Sequence, residues 1–230
     1  MGSFDLAPLW ISLRTSVLAA VLVFFFGVLF ARLFLYANGP VKWLTDVLFT
    51  LPLVLPPTVA GFFLLYIFGV KRPIGRFFIE YFSVKIAFSW GATVLAAVAV
   101  SFPLMYRSAR GAFEQVDRDL VCAARTIGMS ERAIFWRVVM PLAAPGVASG
   151  GVLAFARGLG EFGATAMIAG NIAGKTRTLP LAIYSAVAAG DMAGAYDYVA
   201  IIVMISLLAV VSMNWFASRE SRYKQKGAKR

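Results

Sequence analysis

Cys122–Pro141 reads CAARTIGMSERAIFWRVVMP, a polar and basic stretch in the middle of a strongly apolar chain. Its charged residues are Arg125, Glu131, Arg132 and Arg137. Long apolar segments lie on both sides of it. Such a stretch predicts an element outside the apolar part of the molecule, between two segments that lie inside it.

The composition indicates an integral membrane protein. Of 230 residues, 60% are hydrophobic and 14% are charged, and the mean hydropathy is +0.80. A soluble domain has about 45–50% apolar and about 25% charged residues. The apolar runs are continuous rather than alternating with period two, which favours helices over the strands of a membrane barrel. The predicted fold class is therefore all-α, a polytopic membrane helix bundle.

Two residue types limit the chemistry of the chain. The sequence has no histidine and one cysteine, Cys122. This excludes a His/Cys metal site, a disulfide within the chain and a Ser-His-Asp triad. We expect no catalytic residue and no metal site, and therefore a non-catalytic membrane subunit.

Five apolar segments are long enough to cross a bilayer core, which needs roughly 20 apolar residues. Together they predict one transmembrane domain over residues 1–230. The predicted spans are about 10–36, 47–70, 86–107, 143–169 and 197–218. The apolar run 179–189 is too short to span and is expected to be extramembrane or interfacial.

The distribution of Lys and Arg predicts the orientation. Five spans place the termini on opposite sides of the membrane. The side that holds Lys42, Arg107, the segment 108–141 and the tail 219–230 has more basic residues than the side that holds residues 71–85 and 175–177, so the positive-inside rule places the segment and the tail in the cytoplasm and the N-terminus outside. The basic tail is interpreted as an anchor to anionic lipid in the bilayer. A nucleic-acid role is not favoured, because no aromatic stacking surface accompanies the charge.

The cytoplasmic segment predicts two short helices with a glycine between them. Asp117 or Asp119 would cap the first helix, and Gly128 stands where it would end. Ser130 would cap a second helix that ends at Pro141. One face of the first helix would carry Leu120, Ala123, Ala124 and Ile127. We expect a short rigid element that offers this face to a cytoplasmic partner.

The same segment resembles the EAA motif of ABC importer permeases, E-A-A-x-x-x-G followed after nine residues by I-x-L-P. The matching positions are Ala123, Ala124, Gly128, Val138, Met140 and Pro141. Cys122 stands where the family motif has Glu, whereas valine and methionine are conservative replacements. In that family the segment is a coupling helix that docks into an ATPase subunit. The resemblance therefore implies that Cys122 and the matching positions contact an ATPase.

Two further stretches resemble the molybdate/sulfate branch of type I ABC importer permeases, and within it the molybdate permease subunits. They are TLPLVLPPTVAGFFLL (Thr50–Leu65) and AFARGLGEFGAT (Ala154–Thr165). The resemblance covers about residues 31–217. It implies a bacterial-type plasma (inner) membrane protein that works with a second identical copy, ABC ATPase subunits and a periplasmic or extracellular substrate-binding protein. Such a permease moves a tetrahedral oxyanion by alternating access. Molybdate is the first expectation, and tungstate, sulfate and thiosulfate are alternatives.

The stretch GNIAGKT (Gly170–Thr176) does not predict a nucleotide site in this chain. Gly170 is one residue too close to Gly174 for a P-loop, and no strand precedes it. ATP and Mg are therefore assigned to the partner ATPase, and no cofactor is expected here.

Arg157 and Glu161 are charged residues inside the fourth predicted span. They are four residues apart, so one helix face holds both. A charge within a membrane is costly and commonly functional. Two interpretations remain open: a structural ion pair, or an Arg157 that lines the anion path with a Glu161 that orients it or closes a gate. The family resemblance favours the second.

The second predicted span contains helix-breaking prolines. Pro56 and Pro57 free backbone carbonyls that need a neighbour or a cavity. Thr58, Ser101 and Pro103 would add polar or backbone groups to that cavity. These residues are candidates for the translocation pathway, although a kink made only for packing is the alternative.

An ion-coupled secondary transporter is the alternative from another class. It would use Arg157, Glu161 and Asp46 as a relay. The small number of spans, the lack of a visible inverted repeat and the coupling segment argue against it.

Overall fold

The computed structural model describes residues 5–35, 37 and 39–227, with side chains up to residue 216. Within these residues every regular element is helical. The helices are α1 (Ala7–Leu33), α2 (Gly39–Val54), α3 (Pro57–Phe68), α4 (Pro73–Phe82), α5 (Trp90–Glu114), α6 (Arg118–Thr126), α7 (Glu131–Ile134), α8 (Met140–Leu159), α9 (Gly163–Ala169), α10 (Leu179–Ala188) and α11 (Met192–Gly227). A π-helical turn, Phe135–Val139, joins α7 to α8. The charged side chains of the predicted tail lie outside the described residues.

Four stretches of the described chain are long and apolar enough to cross a membrane: α1, α5, Glu131–Leu159 and Met192–Phe216. A fifth crossing requires α2 and α3 together, and these helices are bent by 111° relative to each other. The span predicted at 47–70 corresponds to this bent pair, with the break at the prolines, and its crossing of the membrane stays a prediction. Proline has no N–H and its ring clashes with the preceding helical turn, so Pro56 and Pro57 end α2 and begin α3.

The fourth apolar stretch also differs from its prediction at 143–169. One helix runs from Glu131 through the π-helical turn to Leu159, and α9 follows after a break. The expected helix end at Pro141 is wrong as well. Pro141 is tolerated because it lies in the first turn of α8, directly after the π-helical turn, where the N–H of Met140 reaches back to the carbonyl of Phe135.

The centre of the bundle is α5, which packs against α1 and α8. Small residues allow this close approach. A Cβ at Gly27 would lie 2.6 Å from Cγ of Met105, and one at Gly150 would lie 2.4 Å from Cβ of Ser108. Such small residues at helix crossings are typical of membrane bundles, where van der Waals contact replaces the hydrophobic effect.

Helix α11 covers little of the bundle with its own apolar residues. It packs against α8 and α10, yet Val203, Leu207, Leu208 and Val211 are each more than half exposed. A helix that is apolar all round and mostly exposed fits a lipid environment or a second apolar surface. The short helix α10 coincides with the apolar run predicted at 179–189. Its placement at the membrane interface stays a prediction.

Candidate functional site

The predicted caps around Gly128 are confirmed. Asp117, rather than Asp119, caps α6, because its Oδ1 accepts a hydrogen bond of 2.9 Å from the N–H of Asp119. Ser130 Oγ accepts one of 3.3 Å from the N–H of Ala133 and caps α7. Gly128 has φ +83°, in the left-handed region that favours glycine. A single left-handed residue thus ends α6 and sets the start of α7.

An ion pair fixes α6 relative to α7. Arg125 Nε donates to Glu131 Oε1 at 2.6 Å and its Nη2 donates to Oε2 at 3.1 Å. The two hydrogen bonds together orient both groups. Glu131 is the first residue of α7, so the pair joins the end of α6 to the start of α7.

The exposed side of α6 carries small and apolar residues. Leu120 is 48% and Ile127 is 77% exposed, and Ala123 is exposed between them. We call Leu120, Ala123 and Ile127 the coupling face. Ala124 is not part of it, contrary to expectation. It is buried with Val121 and packs against the hydrophobic core, so its small size serves close packing of α6.

The other motif positions differ in exposure. Cys122, Gly128 and Pro141 are exposed, and Val138 and Met140 are half-buried. Trp136, whose side chain is 59% exposed on the π-helical turn, was not predicted from the sequence. Its only sequence signal is a large aromatic residue next to Arg137 in the polar segment.

A second site lies where two helix breaks meet. The break between α2 and α3 and the break between α8 and α9 are brought together because α3 packs against α9. A Cβ at Gly163 would lie 3.1 Å from Cβ of Pro57 and 3.2 Å from the backbone nitrogen of Thr58. A Cβ at Gly61 would lie 2.6 Å from Cα of Ala164. The structure therefore joins the predicted residues Pro57 and Thr58 to the end of the fourth span.

Arg157 and Glu161 form the predicted pair at this junction. Arg157 Nη1 donates to Glu161 Oε2 at 2.7 Å. The side chain of Glu161 is 2% exposed, whereas that of Arg157 is 30% exposed. Glu161 Oε1 also accepts a hydrogen bond of 2.8 Å from the N–H of Ala164, in the first turn of α9. The buried carboxylate thus links α8 to α9, and the guanidinium is the more accessible partner.

Ser101 lies beside this junction. A Cβ at Gly158 would lie 3.2 Å from Ser101 Oγ. That hydroxyl is buried and has no hydrogen-bond partner within the described part of the chain. Pro103 is buried two residues further along α5, on roughly the opposite side of the helix, so it does not share a cavity with Ser101. Pro56 is exposed, as are Pro57 and Thr58.

A charged cluster at the other end of α5 was not predicted from the sequence. Arg110, whose side chain is 7% exposed, pairs with Asp46 and with Glu114. Tyr106 Oη accepts from Arg110 at 2.7 Å and donates to Asp46 at 2.8 Å. Lys42 Nζ lies 3.1 Å from Glu114. The cluster ties α2 to α5, and it would have been visible only as the i, i+4 spacing of residues 106, 110 and 114.

The partners of Asp46 separate it from the ion pair at the helix breaks. Asp46 bonds to Tyr106 and Arg110, whereas Glu161 bonds to Arg157 and Ala164. A continuous relay through these groups is therefore not formed by the contacts of the described residues. The ion-coupled alternative gains no support from them.

A bundle of apolar helices packed around α5, with two broken helices that meet at their breaks and a capped helix pair between two candidate spans, is an architecture typical of a membrane permease. The chain belongs to the family of binding-protein-dependent transport system inner membrane components, whose family model matches residues 15–222.

Known proteins are similar over most of the chain. The molybdenum transport system permease protein ModB of Escherichia coli (strain K12) is 43% identical over 213 residues, covering 91% of this chain and 93% of that protein. The putative molybdenum transport system permease protein YvgM of Bacillus subtilis is 42% identical, covering 87% and 88%. The sulfate transport system permease protein CysT of Salmonella typhimurium is 33% identical, covering 92% and 76%.

A solved structure shows the same fold. The inward-facing MetNI methionine ABC transporter superposes with a TM-score of 0.74 at 15% sequence identity, covering 96% of this chain and 99% of that chain. The chain therefore has the type I ABC importer permease fold, as the sequence predicted.

Proposed function

We propose that this chain is the transmembrane permease subunit of an ATP-driven importer of molybdate. The observation that carries the proposal is its 43% identity, over 91% of the chain, to the ModB permease. The sulfate permease CysT is more distant, at 33% identity. Molybdate and sulfate are both tetrahedral oxyanions, so sulfate, thiosulfate and tungstate are the alternatives for the ion.

The work of transport would come from ATP hydrolysed on partner subunits. The coupling face, together with Cys122, Gly128 and the motif positions that follow, would dock on an ABC ATPase. One continuous helix runs from Glu131 at this segment to Leu159 at the helix break. At about 1.5 Å per residue it is long enough to reach across the membrane. Movement imposed by the ATPase would therefore reach the junction directly.

The junction would form part of the anion pathway between two identical copies. Arg157 offers a planar guanidinium that suits a tetrahedral oxyanion. Its pairing with Glu161 at 2.7 Å offsets much of that charge, which favours weak binding and release. The exposed residues Pro56, Pro57 and Thr58 would face the pathway or the second copy.

The orientation of the chain in the membrane would decide which partner meets which surface. The C-terminus and the coupling segment would lie in the cytoplasm and the N-terminus outside, in a bacterial-type inner membrane. A loaded binding protein would dock on the outer surface formed by residues 71–85 and 170–196. ATP-driven closure of the ATPases would then open the permease toward that side, and hydrolysis would return it inward.

Reconstitution tests the proposal. The chain is purified with the ATPase and the binding protein encoded beside it and placed in liposomes. Molybdate-loaded binding protein is expected to stimulate ATP hydrolysis and uptake of labelled molybdate, with sulfate as the competitor. Stimulation by sulfate alone would identify sulfate as the transported ion. Failure to form any complex with the ATPase would contradict the proposal that the chain is an importer subunit.

A further inference from the structure

A cavity of about 630 Å³ lies behind α6. Its walls come from the ends of transmembrane elements: Leu35 follows α1, Lys42 begins α2, and Phe113 and Glu114 end α5. The cavity therefore lies where the apolar bundle meets the polar coupling segment. Because α1 and α5 are candidate membrane spans, their ends would place it at the depth of lipid headgroups. Apart from Cys122, the proposed transport cycle uses none of the residues that line it.

The cavity has an excess of positive charge. Lys42, Arg118 and Arg125 line it, against the single carboxylate of Glu114. Glu114 is already shared, because both Lys42 and Arg110 pair with it. Arg125 pairs with a carboxylate outside the cavity wall. Arg118 is exposed, and no carboxylate within the described part of the chain lies within 4 Å of it.

Cys122 lies within reach of Arg118 but carries no carboxylate. It lines the same cavity and stands where the EAA motif has Glu. On a helix, position 122 is four residues after Arg118 and three before Arg125, so a glutamate there would pair with either guanidinium. The cysteine removes that negative charge and leaves a site for an anion from outside the chain.

The rest of the cavity wall is apolar. Leu35, Phe113, Val121 and Val139 line it beside the basic groups. A small hydrated ion gains nothing from such a wall. A phospholipid matches both parts, because its phosphate pairs with Lys or Arg while its acyl chain lies against apolar side chains.

We propose that this cavity binds an anionic phospholipid, with Arg118 and Lys42 as the groups that hold its phosphate. A bound lipid would join α6 to the ends of α1 and α5 and so hold the coupling face at a fixed height above the membrane. Only the placement of this lipid in the cytoplasmic leaflet depends on the proposed function.

Native mass spectrometry of the full chain tests the proposal. The protein is taken from nanodiscs of phosphatidylcholine that contain some phosphatidylglycerol, and the retained lipid is identified. Wild type is expected to retain phosphatidylglycerol selectively. R118Q should weaken retention about fivefold, the effect of losing one basic group near a membrane surface. C122E should weaken it similarly by supplying the missing carboxylate, whereas C122Q, equal in size and neutral, should not.

Arg132 supplies the matched control. It is exposed in the same segment and does not line the cavity, so R132Q removes the same charge and should leave retention unchanged. Equal losses in R118Q and R132Q would overturn the proposal in favour of diffuse surface charge. Thermal unfolding in phosphatidylcholine alone checks that all variants are folded.

Two further outcomes would replace the lipid by another ligand. Release of phosphatidylglycerol by inorganic phosphate, with phosphate bound in its place, would assign the site to a soluble anion. Release of the lipid when the ATPase binds would assign the cavity to that partner. The measurement requires neither ATP nor molybdate, so its failure leaves the proposed transport function untouched, and failure of transport leaves the lipid result standing.

Discussion

The carboxylate of Glu161 has two partners on different helices. One oxygen accepts from Arg157 on α8 and the other from the backbone of Ala164 on α9. Because the side chain is 2% exposed, each of these hydrogen bonds offsets the cost of burying a charge. Glu161 is therefore a structural link between the two helices, and Arg157, 30% exposed, is the more accessible member of the pair.

This division predicts different effects for the two residues. E161A leaves Arg157 unpaired and α9 uncapped, and should lower the free energy of unfolding by about 3 kcal/mol. R157Q keeps a hydrogen-bond donor toward Glu161 and should reduce molybdate uptake more than stability. Unfolding in detergent and uptake in liposomes measure the two effects. Equal losses of stability in both variants would support the purely structural interpretation of the pair.

Gly128 gives a second prediction at the residue scale. Its φ of +83° lies in the left-handed region, and no atom lies within 4 Å of a Cβ built there. G128A should therefore cost about 1 kcal/mol for the backbone conformation alone and should loosen the angle between α6 and α7. G128N is the matched control, because asparagine tolerates this conformation better.

ATPase binding to purified permease is the measurement for Gly128. We expect weaker binding for G128A than for G128N, since the coupling face depends on the angle that Gly128 sets. The same binding for both variants would show that the left-handed turn is not needed for docking.

At the scale of elements, α2 is held to α5 by the charged cluster around Arg110 and by the ring of Phe49, whose centroid lies 5.3 Å from that of Phe102 and 5.1 Å from that of Tyr106. The described part of α2 has no fully buried residue, whereas Arg110 is nearly buried and pairs with Asp46 and Glu114. A helix with little buried surface of its own depends more on such a polar link than a central helix does.

Removal of one partner of this cluster should be costly. R110Q leaves the carboxylate of Asp46, whose side chain is 40% exposed, without its cation and should lower the free energy of unfolding by about 1–2 kcal/mol. The double variant D46L/R110M replaces the pair by apolar side chains and should regain much of that loss. Chemical unfolding of wild type, single and double variants measures the coupling, and additive losses would contradict it.

Local and long-range features differ in how far the sequence predicts them. The caps at Asp117 and Ser130 and the turn at Gly128 were predictable because each depends on residues within four positions. The cluster at Arg110 was not, since Asp46 is 64 positions away. The prolines of the second predicted span indicated the break between α2 and α3 but not its bend of 111°, and the helix end at Leu159 was missed. Hydropathy continues across both breaks, and the packing of α3 against α9 stabilises them.

The candidate site followed the same rule. The pair of Arg157 and Glu161 was expected from its i, i+4 spacing. The hydrogen bond from Ala164 of α9 to Glu161 was not expected, because α9 was predicted to be part of a continuous span. Ala124 was placed on the wrong side of α6 because a small residue gives little indication of which face is buried. Val121, which lies with Ala124 in the core, is a larger apolar residue and indicates the buried face of α6 better.

At the scale of the whole molecule, one helix connects the two candidate sites. It begins at Glu131, beside the coupling face, and ends at Leu159, beside the ion pair. Helices resist compression and bending, so the two ends are expected to move together when the ATPases close.

Paired spin labels test this connection in the assembled transporter. Cysteines replace the exposed residues Arg132 or Phe162 in a C122S background, and distances between the two copies are measured with and without nucleotide. Both label pairs should change distance under the same conditions. A change at Arg132 with none at Phe162 would show that the helix does not transmit the movement.

The π-helical turn sets the rotational phase of this connecting helix. Such a turn holds one residue more than an α-helical turn, and each residue advances a helix by about 100°. The five residues Phe135–Val139 therefore let Ile134 point into the core while Ala143 and Val147 do so on the far side of the turn. If the same residues formed only regular α-helical turns, the side chains after Val139 would be rotated by about 100° relative to those before Phe135. The turn thus lets a membrane-spanning helix and a docking element, each with its own buried side, share one axis.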